Sequence, residues 1–252
     1  MSIPFWKAYA EGNSYVIVES ESAVEQVLPW IVDGRRGLGG DGLLLADWQP
    51  GPTVGMRVFN PDGCEAPSCG NGARCLAALA MRTGRAGRDD AVTVECAGGS
   101  LVHRLADAAR LAFIQTMPLP GDPVIWRDGN MAQVELGTAH RVVFRDLDGL
   151  DPATEGPPCA RQWPGGTNVM FAQVTSPGML DVVPWERGVG PTLGCATGAA
   201  AAAIAAAGYI PGWPDSVRVR QPGGSVGVRR QAGSLDMTGT VRFIAEGTVE
   251  TA

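Results

Sequence analysis

Hydrophobic positions along the chain fall in short alternating runs, each closed by a turn residue. The first half carries SYVIVE (14–19), GLLLAD (42–47), GMRVFN (55–60), AVTVEC (91–96), SLVHRL (100–105) and RLAFIQ (110–115). The second half repeats the texture with MAQVEL (131–136), HRVVFRD (140–146), NVMFAQV (168–174), LDVVPWE (180–186), SVRVRQ (216–221) and SVGVRR (225–230). Alternating, β-branched runs bounded by turn residues predict strands. Three stretches read as helices, roughly 22–34, 71–84 and 196–208. Many strands with few helices predict an α+β, mostly antiparallel protein. Residues 151–165, DPATEGPPCARQWPG, read as an irregular surface connection.

The two halves also resemble each other at a fixed offset of 126. Phe59 falls on Trp185 and Asn60 on Glu186. Cys69 falls on Cys195, Gly70 on Ala196, Asn71 on Thr197, Gly72 on Gly198 and Ala73 on Ala199. Each half runs strand, loop, cysteine, small-residue helix. This predicts two pseudo-symmetric lobes, each a sheet or barrel wrapped around a central helix. The N-terminal lobe is expected over 1–114 plus 240–252 and carries Cys69. The C-terminal lobe is expected over 115–239 and carries Cys195. Alanine and glycine suit a helix crowded by strands on all sides.

A cysteine at a helix start meets unpaired N–H groups and the positive end of the helix dipole. That environment is expected to acidify the thiol, and it also receives a carboxylate. Gly70, Asn71 and Gly72, like Ala196, Thr197 and Gly198, are small enough for a ligand to reach the backbone. With both helix starts at one cleft, an α-carboxylate would sit between them and the thiols would flank its α-carbon. One thiolate would remove the α-proton while the other thiol returned one to the opposite face. That is racemase or epimerase chemistry without a cofactor. The remaining cysteines, Cys64, Cys75, Cys96 and Cys159, read as inert small hydrophobes.

Composition removes several other functions. The 252 residues carry a net charge of −6 with scattered basic residues, so no nucleic-acid partner is expected. No apolar run approaches the roughly 20 residues of a membrane helix. The start MSIPFWKAYAEGNS lacks the pattern of a signal peptide, and a cytoplasmic protein with thiol cysteines is expected. There is no C-x-x-C pair and only two histidines, His103 and His140, so no metal site is expected. Lys7 is the only lysine, which argues against pyridoxal phosphate. A small-molecule amino-acid substrate is the expected partner; the oligomeric state, a homodimer included, stays open.

The same residues carry a family resemblance. FNPDGCEAPSCGNGARC (59–75) and WERGVGPTLGCATGAAAAA (185–203) resemble the two active-site signatures of the diaminopimelate epimerases. Weaker matches cover GNSYVIVE (12–19), RRGLGGDGLLL (35–45), GGTNVMFAQV (165–174), QPGGSVGV (221–228) and MTGTVRFIAEGTV (237–249). The resemblance implies a cofactor-independent enzyme interconverting L,L- and meso-diaminopimelate, on the route to lysine and cell-wall precursors. It implies Cys69 and Cys195 as the acid/base pair, and Gly70, Asn71, Ala196 and Thr197 as the cradle of the reacting carboxylate. Asn13 would lie on the substrate side. Asn60, Asn168 and Arg187 would hold the distal carboxylate, and Glu186 the distal ammonium. Outside that context, Glu186 and Arg187 read as a surface pair and Asn60 and Asn168 as turn residues.

The chain departs from the family pattern at four places. Thr138 replaces an asparagine implied in distal binding, Gly42 a larger polar residue, Pro191 a glutamate and Ala196 a glycine. A two-thiol epimerase of another amino acid, of histidine or hydroxyproline type, therefore stands as the alternative. So does a non-catalytic binding protein on the same scaffold, or an isomerase of this fold that works without thiols.

Overall fold

Four of the predicted runs, GLLLAD to SLVHRL, become consecutive members of one sheet. A computed structural model describes residues 2–19, 30–119 and 124–250. The chain divides into two compact units, Met1–Gln115 with Gly239–Ala252, and Thr116–Thr238.

In the first unit the strands lie in the order Arg242–Glu250, Ser2–Ala10, Asn13–Val18, Gly42–Trp48, Thr53–Phe59, Ala91–Cys96 and Gly99–Asp107. The pairings run antiparallel, antiparallel, parallel, antiparallel, parallel, antiparallel. The second unit runs Val124–Asp128, Met131–Glu135, Ala139–Phe144, Asn168–Ser176, Met179–Glu186, Ser216–Gln221, Gly224–Gln231 and Ser234–Thr240. Its first six pairings follow the same sequence, and a further antiparallel one closes it. The repeat read from the sequence is thus a repeat of topology. Asn13–Val18 and Ala139–Phe144, or Gly42–Trp48 and Asn168–Ser176, begin 126 positions apart.

A parallel pair needs a crossover, and a helix supplies it. Helix α1, Gly70–Arg82, links Thr53–Phe59 to Ala91–Cys96; helix α3, Ala196–Tyr209, links Met179–Glu186 to Ser216–Gln221. Both are buried nearly all round. Ala73, Leu76, Ala77 and Ala80 of α1 pack against Leu44, Val58, Val92 and Phe113. Ala199 to Ala206 of α3 pack against Met170, Leu180, Val219 and Leu235. Alanines shorten the distance from helix axis to strands, and burial on every side removes any need for a polar stripe.

The α+β, two-unit, mostly antiparallel class holds, and the helices expected at 71–84 and 196–208 lie close to their predicted extents. Residues 151–165 do not form the irregular connection expected of them. Helix α2 occupies Pro152–Arg161. Asp151 caps it, accepting from Ala153 N–H at 3.1 Å and Thr154 Oγ1 at 2.6 Å, and Pro152 sits where a missing N–H costs nothing. Tertiary contacts then carry the helix past Pro157 and Pro158. Glu155 pairs with Arg145, and Arg141 Nη1 donates to Cys159 O at 2.9 Å. Gly156 lets the Trp185 ring approach so closely that an added Cβ would lie 2.3 Å from it. Of the helix expected at 22–34, residues 22–29 lie outside the described residues; Trp30 and Ile31 are helical. Strands Ser2–Ala10, Ser234–Thr240 and Arg242–Glu250 are not among the predicted runs; Arg242–Glu250 is mostly exposed and alternates weakly.

Candidate active site

The sheet delivers each small-residue helix with a cysteine as its N-cap. Cys69 has φ −152° and ψ 113°, and its Sγ accepts from Gly72 N–H at 3.3 Å. Cys195 has φ −138° and ψ 111°, and its Sγ accepts from Gly198 N–H at 3.4 Å. The N–H groups of the next two residues, Gly70 and Asn71 or Ala196 and Thr197, have no partner inside their helix, as in any α-helix. Each unit therefore presents a thiol beside two donors on one helix start.

Gly72 and Gly198 serve a different purpose from the ligand access expected of them. A Cβ on Gly72 would meet Leu44 Cδ2 at 3.0 Å, and one on Gly198 would meet Met170 Sδ at 2.3 Å. Both glycines bring the helix against a strand, and their N–H groups go to the cysteine sulfurs.

Around Cys69 the structure gathers Tyr15, Asn13, Asn71 and Arg74. The Tyr15 hydroxyl lies 2.8 Å from Cys69 Sγ. Burial, and next the Cys69 charge, push the phenol well above its ordinary pKa, so it keeps its proton and can donate to the Cys69 sulfur. Asn71 Nδ2 donates to Asn13 Oδ1 at 2.8 Å, and Arg74 Nη1 donates to Asn71 Oδ1 at 2.9 Å. Gly42, which departs from the family pattern, sits where a Cβ would stand 2.8 Å from Phe59 O and 3.4 Å from the Tyr15 ring. A larger residue there would displace the strand or the phenol.

Around Cys195 the partners differ. Gln221 brackets its backbone, accepting from Cys195 N–H and donating to Cys195 O, both at 3.1 Å. Thr197 Oγ1 lies 3.6 Å from Cys195 Sγ and 3.1 Å from His140 Nε2. Burial drives His140 down to about 4, so the ring is neutral at pH 7. Cys195 is 7% exposed. Burial, then the charge of Glu186, push its thiol well above the ordinary value, against the hydrogen bonds from Thr197 and Gly198. The acidification expected from a helix start is overturned at Cys195: desolvation in a nearly closed site outweighs two N-terminal hydrogen bonds.

The remaining expected residues fall in two places. Asn168 Oδ1 accepts from Arg187 N–H at 2.9 Å, Arg187 Nη1 donates to Gly165 O at 2.7 Å, and Thr192 Oγ1 donates to Glu186 Oε1 at 2.6 Å. These three belong to one loop cluster of the second unit. Asn60 instead sits in the turn to Cys64, held through its own backbone. Thr138 is exposed in the hairpin between Met131–Glu135 and Ala139–Phe144. Of the cysteines read as inert and buried, Cys75 is buried and its thiol pushed up by burial, but Cys64 is exposed at a turn. Reading by residue type missed Tyr15, Arg74, His140 and Gln221. Tyr15 and Gln221 lie inside the weaker matching stretches, but nothing local marks either as a cysteine's neighbour.

Comparison with solved structures gives the fold. A PhzF-family phenazine biosynthesis protein from Bacillus anthracis has the same fold at TM-score 0.76, with 15% identity and 99% of both chains covered. A probable proline racemase from Agrobacterium radiobacter K84 follows at TM-score 0.69 and 16% identity, covering 98% of this chain and 93% of that one. Sequence comparison is more specific. The family model for diaminopimelate epimerase matches residues 5–117. The diaminopimelate epimerase of Desulforudis audaxviator is 35% identical, with 96% of this chain and 98% of that protein covered. The chain belongs to the diaminopimelate epimerase family.

Proposed function

We propose that this protein is an isomerase that interconverts L,L- and meso-diaminopimelate without a cofactor, by a two-base exchange at the α-carbon. It would act in the cytoplasm, on the route to lysine and peptidoglycan precursors. The observation that carries the reading is the paired N-cap: two topologically equivalent helices each begin with a cysteine whose sulfur faces its own helix N–H groups.

The roles follow from the chemistry. The α-proton is removed as a thiolate becomes a thiol, and the electron pair passes into the α-carboxylate. The second thiol then gives its proton to the opposite face and becomes the thiolate. We assign these two carriers to Cys69 and Cys195. Cys195, raised by burial, enters as the thiol in the direction in which Cys69 is the base, and the reverse direction exchanges the roles. The N–H groups of Gly70, Asn71, Ala196 and Thr197 receive the carboxylate, where charge develops. Asn13 lies on the substrate side. Asn60, Asn168 and Arg187 take the distal carboxylate, and Glu186 the distal ammonium.

The test is incubation with L,L-diaminopimelate in deuterated water, following α-deuterium uptake and optical rotation. Uptake with conversion to the meso form is expected; no exchange sinks the reading. A parallel panel of L-amino acids tests the second reading, a two-thiol epimerase of another amino acid. Thr138, exposed where the resemblance implies an asparagine, is the observation that favours it.

A further inference from the structure

We propose that Arg74 is a positioning residue, which sets the hydrogen-bond polarity of Asn13 by way of Asn71 and so turns the Asn13 amide NH2 toward substrate. The inference rests on the epimerase reading for its substrate and adds a residue that the reading does not use.

An amide side chain can be placed either way round, and only its partners decide. Here one partner has no choice. A guanidinium carries donors and no acceptor. Arg74 Nη1 lies 2.9 Å from the Asn71 amide, so the atom of Asn71 it meets is the oxygen. Asn71 must then present its NH2 to Asn13 at 2.8 Å, and Asn13 must accept with its oxygen. The remaining face of the Asn13 amide is its NH2. A donor-only residue at one end of a two-amide chain thus leaves a donor at the other, suited to a carboxylate.

The setting shows that this arrangement is built. Arg74 is 0% exposed, on the turn of α1 that follows Cys69. The Glu11 carboxylate opposes the effect of burial on it, and Glu11 Oε1 is itself held by Thr240 N–H and Oγ1, each at 2.7 Å. The backbone closes over the guanidinium at Gly239, where an added Cβ would stand 2.6 Å from Nη1. Burying such a pair is costly, and apolar residues of similar volume often serve stability as well or better. The second unit shows the alternative, since position 200, the counterpart of Arg74, is a buried alanine inside α3.

The experiment is a double-mutant cycle on kcat/KM for L,L-diaminopimelate. Glu11→Gln/Arg74→Met removes both buried charges while keeping an acceptor for Thr240. It is expected to lower kcat/KM about 10- to 100-fold, chiefly through KM. In an Asn13→Ala background the same pair of changes is expected to cost under about 3-fold, because the amide they orient is gone. Equal losses in both backgrounds, or no loss in either, overturn the proposal. If the double variant does not fold, Asn71→Leu breaks the chain with both charges in place and carries the same cycle. The Asn71 side-chain NH2 signals in a 1H–15N spectrum give a readout without turnover. Slow hydrogen exchange that speeds up in Glu11→Gln/Arg74→Met is expected; signals that ignore the change overturn the relay. An inactive wild-type protein would sink the epimerase reading, and those signals would still decide the relay.

Discussion

Cys69 and Cys195 hold the same place in two copies of one supersecondary pattern, with matching φ and ψ and matching sulfur-to-N–H contacts. Their surroundings diverge. Cys69 is half-buried beside a protonated phenol, with a chain running from buried Arg74 and Asn71 of α1 to Asn13 on strand Asn13–Val18. Cys195 is buried, clamped by Gln221 and backed by Thr197 and a neutral His140. A repeated backbone reproduces the helix start, because capping geometry depends on a few consecutive dihedrals. It does not reproduce the electrostatics, which depend on side chains brought in by other strands. Like positions can therefore hold thiols in unlike surroundings.

The comparison can be broken most severely at the sulfurs. Cys69→Ala and Cys195→Ala are each expected to lower epimerisation at least about 10³-fold, within the usual worth of a general acid or base. A variant that keeps full activity removes its cysteine from the mechanism.

Acid should come next in size. His103 and His140, one in each unit, are both buried, with pKa values lowered to about 3 and about 4. The unfolded rings titrate near 6.5, so the unfolded state takes up protons first as pH falls. The stability from keeping each ring neutral is full above about 6.5. It drains between there and the folded value, by on the order of a few kcal/mol for each. Urea titrations at pH 7 and 4.5 should show this fall, and His140→Gln should blunt it. An unchanged acid slope in that variant would refute the assignment.

The helix–strand contacts separate the units by a smaller margin. Alanine gains helix propensity over glycine by about 1 kcal/mol. At Gly72 the only close contact is the end of the Leu44 side chain, at 3.0 Å, and Gly72→Ala should be near neutral. At Gly198 the Met170 thioether stands at 2.3 Å inside a buried core, so Gly198→Ala should be less stable than Gly72→Ala by about 1–2 kcal/mol. Thermal melting of the two variants compares them directly.

The smallest effect is expected at the phenol. Tyr15→Phe removes the donor to a Cys69 thiolate. It should slow iodoacetamide alkylation of Cys69 several-fold at neutral pH, measured in a Cys195→Ala background. The rate for Cys195 in a Cys69→Ala background should not change.

Strand runs, two of the three helices and the paired cysteines were legible because each depends on neighbours in sequence: period-two alternation, small-residue runs and a cysteine at a helix start. Helix α2 was not, because Pro157 and Pro158 argue locally against it and the residues that hold it, Arg141, Arg145 and Trp185, lie outside the segment. The glycines of the helix starts were legible as small and misread in purpose, since only packing shows Leu44 and Met170 against them.

By itself the sequence determined the repeat, the position of each thiol on its helix and the family, since local pattern and residue identity suffice for those. Tertiary structure alone decided how each thiol is supported. Tyr15 reaches Cys69 across 54 positions, His140 reaches Thr197 across 57, and Thr240 reaches Glu11 across 229. Burial follows from the same long-range packing. Desolvation acts on a group according to what surrounds it in space, which is why Cys195 is raised at a helix start that would otherwise lower it.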